Sequence, residues 1–321
     1  MAVYTKISEQ DASEFLQDYD LGTLVELTGI RSGVENTNYF LTTTAGRYVL
    51  TLYEKRVHTE DLPFFIGLME HLAAKNLPCP KPQKMKSGKV LGHLAKRAAV
   101  IISHLKGASL TRIVPNDCAE LGRALAAMHL SVADFPMHRA NALSLPGWEK
   151  MVEFAAGRAD EIFVGLGAIL QKEIAHLKAY WPTDLPKGII HADLFPDNVF
   201  FDGPRLCGLI DFYFACDDLL VYDLAVCLNA WCFERDASFN ITKARALING
   251  YEEVRPLSAA EKEALPLLSR GSALRFLLTR LHDWLHQVPD ALVKPKDPLE
   301  YLIKLQFHQG VQNVSAYGFA P

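Results

Sequence analysis

The chain has 321 residues, half of them hydrophobic, which supplies a large core and enough length for two lobes, and excludes disorder except at the ends. With 33 basic and 37 acidic residues the net charge is only −4, pointing away from nucleic acid and anionic membrane surfaces and toward a small-molecule partner. The opening MAVYTKISEQD lacks a charged stretch followed by an apolar one, and no apolar run approaches the roughly 18 residues of a membrane helix, so no membrane association and a cytoplasmic location are expected.

Six cysteines (Cys79, Cys118, Cys207, Cys216, Cys227, Cys232) show no C-x-x-C pattern. They read as scattered free thiols in a reducing compartment, each a small buried hydrophobe.

In chain order, a short helix that Ser8 caps precedes β-rich runs at 24–30, 38–44 and 46–53, which form an antiparallel meander. Residues 62–76 carry apolar positions at helical spacing and stop at the proline-rich LPCPKP. Two more β-like runs fall at 89–91 and 98–103, before the connector HLKG. The predicted division is therefore a small β lobe over 1–104 and a larger, helical lobe over 105–321.

The helix at 116–130 is expected to open on Asn116 as cap and to bury Leu121, Leu125 and Met128. His129, beside that stripe, reads as a core histidine. Later helices are signalled by WEKMVEFAAGRADEI, by the capping box of Ser258 and Glu261, and by ALRFLLTRLHDWLHQ at 273–287. Strand pattern interrupts the helices only around 189–211.

That interruption carries the chemistry. GII enters the polar stretch HADLFPDN at 191–198, VFF leaves it, Asp202-Gly203-Pro204 turns, and LCGLI returns to Asp211. Partners across an antiparallel ladder lie about 5 Å apart, so the hairpin's open end makes neighbours of Asn198 and Asp211. Oxygen donors of this kind suit Mg²⁺ carried by a nucleotide phosphate better than zinc, and leave Asp193 to meet a substrate hydroxyl. His191-Ala192-Asp193-Leu194-x-x-x-Asn198 followed by Asp211-Phe212-Tyr213 keeps the order of the protein-kinase H-R-D-L-x-x-x-N and D-F-G motifs. The competing reading is a solvated turn, which would not require Asp211 at the end of an apolar strand.

At these residues the sequence resembles the aminoglycoside phosphotransferase and choline kinase superfamily, with Ala192 for the arginine, DFY for DFG, and VYDLA at 221–225 similar to its D-L-A segment. Within it, GVENTNYFLTT, YVLTLYEKR, LPFFIGLMEHLAAKNLPCPKP, HADLFPDNVFF and ALRFLLTRLHDW resemble the bacterial homoserine kinases of the threonine pathway. The resemblance implies an α+β, protein-kinase-like two-lobe fold: a small antiparallel N-lobe sheet with one helix, and a mostly helical C-lobe carrying the catalytic hairpin. It implies ATP and Mg²⁺, with Asp193 as catalytic base or hydroxyl-orienting residue, His191 shaping its loop, Asn198 and Asp211 as metal ligands, and Asp223 pinning the loop.

One part of the family pattern is missing. The strand lysine that contacts phosphate would fall at Thr51 and its helix glutamate near Phe65; losing both avoids a stranded buried charge. Arg47, Lys55 and Arg56 are the candidate substitutes. The stretch 31–38 has one glycine where a protein kinase has three. Ser32, Gly33, Asn36 and Thr37 are expected to cradle phosphate through their backbone, and Ser103 and Leu105 to meet the adenine.

For the acceptor, residues 234–321 hold 10 acidic and 11 basic side chains, which disfavours polycationic aminoglycosides. The carboxylate of a hydroxy amino acid suits an arginine fork, from Arg275 or Arg280, which diverge by roughly 140° on one helix. Tyr213, Tyr222 and Trp231 are candidates to box an ammonium or to pack the core, and His282 and His286 read as helix surface. The implied partner is L-homoserine, in a monomer or simple homo-oligomer. Another small alcohol (choline, methylthioribose, an amino alcohol) and a weak nucleotide-binding regulator stay as alternatives.

Overall fold

The computed structural model describes residues 5–30, 36–54, 58–155, 157–286 and 295–319. It divides into two compact units, Met1–Gly107 with Cys207–Tyr213, and Ala108–Leu206 with Phe214–Pro321. The first unit thus runs past residue 104 and takes in the segment that ends in Asp211 and Tyr213, which sequence reasoning assigned to the second lobe.

In the first unit, helix α1 (Glu9–Leu16) is capped by Ser8, whose hydroxyl accepts from the Asp11 amide while Asp11 accepts from the Ser8 amide, a reciprocal capping box. Strands β1 (Leu24–Gly29), β2 (Thr37–Thr43) and β3 (Gly46–Leu52) form the expected meander. Helix α2 (Leu62–Ala74) buries Leu62, Phe65, Leu68 and Leu72. Strands β4 (Gly92–Leu94) and β5 (Arg97–Ser103) complete a five-stranded antiparallel sheet in the order β1-β2-β3-β5-β4. The run expected at 89–91 lies three residues later because Ala95 and Lys96, both at positive φ, make the hairpin turn. Leu41, Leu50, Leu52 and Ile101 of the sheet form one core with Phe15, Leu16 and Tyr19.

In the second unit, helix α3 (Pro115–Ser131) starts with proline in its first turn, and the Asp117 carboxylate accepts the Val114 amide at 2.8 Å. Asn116 is inside the helix and does not cap it. Helices α4 (Leu145–Ala155) and α5 (Leu166–Tyr180) precede strands β6 (Lys187–Ile190) and β7 (Val199–Asp202), and β8 (Arg205–Leu209), the return strand of the expected hairpin, runs on into the Cys207–Tyr213 segment of the first unit. Strand β9 (Cys216–Leu219) pairs antiparallel with β6, so strand structure extends beyond 211.

Helices α6 (Leu220–Trp231), α7 (Ile241–Glu252), α8 (Ala259–Leu285) and α9 (Leu299–Gln309) complete the unit. The Ser258 capping box and ALRFLLTRLHDW belong to one helix, α8, of 27 residues. Helices α3 and α7 touch backbone to backbone: a Cβ at Gly122 would collide with the Leu247 carbonyl, and one at Gly250 with that of Ala119. Among the described residues no helix is long and apolar enough to cross a membrane.

Candidate catalytic loop and nucleotide-binding residues

Residues 191–194 form a turn whose backbone is held almost entirely by side chains from elsewhere in the second unit. The Asp223 carboxylate accepts the His191 amide at 2.7 Å and the Ala192 amide at 2.9 Å. Arg275 Nη1 donates to the Ala192 carbonyl at 2.5 Å, Asn198 Nδ2 to the Asp193 carbonyl at 2.8 Å, and Trp231 Nε1 to the Leu194 carbonyl at 2.8 Å. The Asp193 amide points at His191 Nδ1, 3.3 Å away. Three successive carbonyls thus each have their own side-chain donor, which over-determines the turn. That hold is needed because Ala192 sits at φ +64, a conformation costing an L-residue about 1–2 kcal/mol.

Asp223 is fully buried, and burial alone would raise its carboxyl. His129, 3.2 Å away, together with the field and amide of His191, outweighs this and holds the group below its usual range. His129 is therefore buried as expected, but polar in role: its other nitrogen meets the Tyr251 hydroxyl at 2.8 Å.

His191, Ala192, Leu194 and Asn198 are buried, whereas Asp193 is partly exposed. Asn198 Nδ2 also donates to Asp193 Oδ2 at 3.2 Å. With its nitrogen committed to Asp193, Asn198 keeps its amide oxygen outside any hydrogen bond among the described residues. An oxygen left over in this way fits a hard cation such as Mg²⁺. Asp211, the other expected ligand, belongs to the first unit and lies at φ +66. Among the described residues there is no group of three or more His, Cys, Asp or Glu that could hold a metal ion.

In the first unit, the positions expected for the lysine–glutamate pair, Thr51 and Phe65, carry uncharged side chains. Thr51 is buried and donates to Asn38 Oδ1 at 2.7 Å. Tyr213 sets its ring edge-on to Tyr53 and Phe65, at centroid distances of 5.5 and 5.6 Å, with its hydroxyl 3.3 Å from that of Tyr53. Burial, and then the neighbouring Tyr53, raise the Tyr213 phenol well above its usual range. Tyr213 therefore packs within the β unit, the second of the two roles open to it from the sequence.

Ser32, Gly33, Arg31, Lys55 and Arg56 lie outside the described residues. Asn36 and Thr37 are buried and tied to Glu54: Asn36 Oδ1 accepts its amide at 3.2 Å, and the Thr37 hydroxyl donates to its carboxylate at 2.8 Å. Their side chains hold the strand ends. The Ser103 amide is spent on the Lys81 carbonyl at 2.9 Å, so it cannot donate to adenine, while Leu105 remains partly exposed beyond the strand end. Arg47 stacks its guanidinium 4.1 Å from the Phe40 ring.

Neither arginine of α8 presents a fork to an acceptor. Arg275 is 2 % exposed and bound to Ala192. Arg280 pairs with Glu300 at 2.6 Å, donates to the Asp297 carbonyl, and lies 4.5 Å over Tyr301. The tyrosine and tryptophan candidates Tyr222 and Trp231 are fully buried core. His282 and His286 stack at 4.4 Å on the helix surface as expected. Five cysteines are buried free thiols, and Cys207 departs from the expectation by being partly exposed. Sequence reasoning missed the roles of Arg275, Trp231 and His129; the signal available was an arginine and a histidine set inside apolar helical runs.

The model of the phosphotransferase enzyme family matches residues 26–257. The chain belongs to that family. Curated relatives of the same length include the homoserine kinase of Xanthobacter autotrophicus, 58% identical with 100% of both chains covered, and that of Agrobacterium fabrum, 58% identical with 100% of this chain and 99% of the relative covered. Among solved structures, an amicoumacin kinase in complex with AMP-PNP and Ca²⁺ superposes with a TM-score of 0.69 at 14% identity, covering 94% of this chain and 92% of that one. A spectinomycin phosphotransferase in complex with ADP and spectinomycin gives 0.69 at 14% identity, covering 98% and 99%. At that identity the likeness shows the fold alone: the phosphotransferase family's protein-kinase-like α+β fold, with its five-stranded antiparallel sheet and mostly helical remainder.

Proposed function

We propose that this phosphotransferase is an ATP-dependent kinase that moves the γ-phosphate to the side-chain hydroxyl of L-homoserine, giving O-phospho-L-homoserine and ADP. The observation that carries the acceptor is full-length identity of 58% to relatives named homoserine kinase; the rigid presentation of Asp193 supports the chemistry.

Phosphoryl transfer demands positioning and charge stabilisation more than covalent help. Asn198 and Asp211 are the residues assigned to Mg²⁺, which when bound supplies neutralisation of charge on the phosphates. Asp193, partly exposed on a turn fixed at three carbonyls, accepts a hydrogen bond from the primary hydroxyl, orients it for in-line attack, and receives its proton as the new P–O bond forms. With Thr51 and Phe65 replacing the usual ion pair, phosphate anchoring falls to backbone amides and to cations elsewhere. The enzyme is read as cytoplasmic, and as a monomer or simple homo-oligomer.

Thr51 and Phe65 are also what would favour a nucleotide-binding regulator without turnover. A regulator would not need the side-chain frame around Asp193. The Asp193→Asn variant separates the two readings: it is expected to bind ATP like the wild type while turnover falls by a factor of about 10² or more. Unchanged turnover in that variant would remove Asp193 from its role.

A further inference from the structure

We propose that Arg275 is a positioning residue for phosphoryl transfer, fixing the peptide plane that carries Asp193 by donating to the Ala192 carbonyl. The inference rests on the reading of Asp193 as the base.

The peptide between Ala192 and Asp193 has two polar ends, and both are held. Arg275 Nη1 takes the carbonyl at 2.5 Å and His191 Nδ1 faces the amide at 3.3 Å. The plane cannot rotate without breaking the first bond, and rotation of that plane swings the Asp193 side chain directly. Ala192 supplies the tendency to rotate, because at φ +64 it gains energy by leaving the left-handed region. Asp223 grips only the amides of the turn, so the carbonyl side depends on Arg275.

The environment of Arg275 argues against both a substrate clamp and a plain ion pair. Its side chain is 2 % exposed, so a carboxylate in solvent does not reach it. Its Nε is buried without a hydrogen bond, and although its charge acts on the Asp218 carboxyl, the arginine ion pairs of α8 among the described residues are those of Arg270 and Arg280. The guanidinium instead lies 4.7 Å from the Phe276 ring and 5.8 Å from that of Phe214, which follows directly on the D-F-Y segment. Burying a cation without a paired anion is costly, and an apolar residue would fill the same space more cheaply. What an apolar residue cannot supply is the rigid planar donor aimed at one carbonyl.

The test is steady-state kinetics with Mg-ATP and L-homoserine on Arg275→Lys and Arg275→Gln, each alone and combined with Asp193→Asn. A flexible ammonium or a shorter amide holds the carbonyl less well, so kcat is expected to fall about tenfold or more in each single variant, with both KM values within about threefold of wild type. Because Arg275 acts through Asp193, adding either substitution to Asp193→Asn is expected to lower turnover by less than about twofold further.

A kcat within twofold of wild type would overturn the inference, as would a homoserine KM raised tenfold at unchanged kcat, which marks a substrate clamp. Arg275→Gln keeps an N–H donor and buries no charge; failure of that variant to fold would also overturn it, by making Arg275 a folding residue. If Asp193→Asn alone turns over like the wild type, the base reading fails first, and that result is separate from any of these.

Discussion

Arg275 and Ala192 stand 83 positions apart in sequence and meet through a 2.5 Å hydrogen bond from guanidinium to carbonyl. That bond links a 27-residue helix to the turn that carries Asp193, and it makes Arg275, one of two arginines considered for the acceptor, part of the frame that holds the turn.

Asp223 is the other half of that frame. In Asp223→Asn one of the two acceptor oxygens becomes an NH₂ that faces a backbone N–H, that of Ala192 at one oxygen or that of His191, with His129 beside it, at the other. Charged hydrogen bonds of this kind are worth about 1.5–3 kcal/mol each, so a stability loss of about 3 kcal/mol or more is expected, together with a turnover loss of at least about 10²-fold. Denaturant unfolding and steady-state rates on the same preparation check both; near-wild-type stability would mean the two amides find other partners.

Thr51 is buried beside uncharged neighbours. Restoring the family lysine there, as Thr51→Lys, is expected to lower stability by about 3 kcal/mol or more, since an ammonium would be buried in place of a hydroxyl that donates to Asn38, and to leave kcat no higher. Phe65→Glu in addition should recover part of the loss. A Thr51→Lys protein that is both stable and faster would show that the site still accepts the ordinary phosphate anchor.

Tyr213 spends its hydroxyl on Tyr53 in the first unit. Tyr213→Phe is expected to cost no more than about 1 kcal/mol and to leave the KM for the acceptor unchanged. A tenfold rise in that KM would return Tyr213 to the acceptor-binding role suggested by its sequence position.

His308 gives the stability a pH dependence. Burial, and then the charges of Lys304 and Arg270, push its imidazole down from 6.5 to about 3, while its nitrogens meet Tyr317 and Asn229. The unfolded chain takes up a proton below about 6.5 that the native protein refuses until about 3. This contribution is therefore full above that window and is lost as pH falls through it, by up to about 1.4 kcal/mol per pH unit. Urea unfolding at pH 7 and pH 5 should show His308→Gln, weaker at pH 7, losing less than the wild type on acidification; equal losses would contradict the neutral buried state.

Much of the fold was readable because local signals agree with it. The Ser8 and Ser258 capping boxes, the period-two runs of β2 and β3, and the turn at Gly203 each act within a few residues. Strand β9 was not, because CDDL looks like loop: Asp217 accepts the Arg139 amide at 2.7 Å and Asp218 pairs with Asn141, contacts over 70 positions away. Helix α5 also lacked a signal, having Gly165 at its start with no side-chain cap of its own; Asp160 reaches over to the Gly167 amide instead. In the candidate site, HADLFPDN announced its own importance. Its supports at Asp223, Trp231 and Arg275 lie 31 to 83 positions away; the family resemblance pointed to Asp223, and only folding identifies the other two.

The measurement closest to the central claim is transfer itself: purified protein with Mg-ATP and, separately, L-homoserine, choline, methylthioribose and an aminoglycoside, followed by ADP release and the mass of each acceptor. The account predicts ADP formed in step with an L-homoserine heavier by one phosphoryl group, and a much lower kcat/KM for the other alcohols. ADP release at background with every alcohol, from protein that still binds ATP, would contradict it.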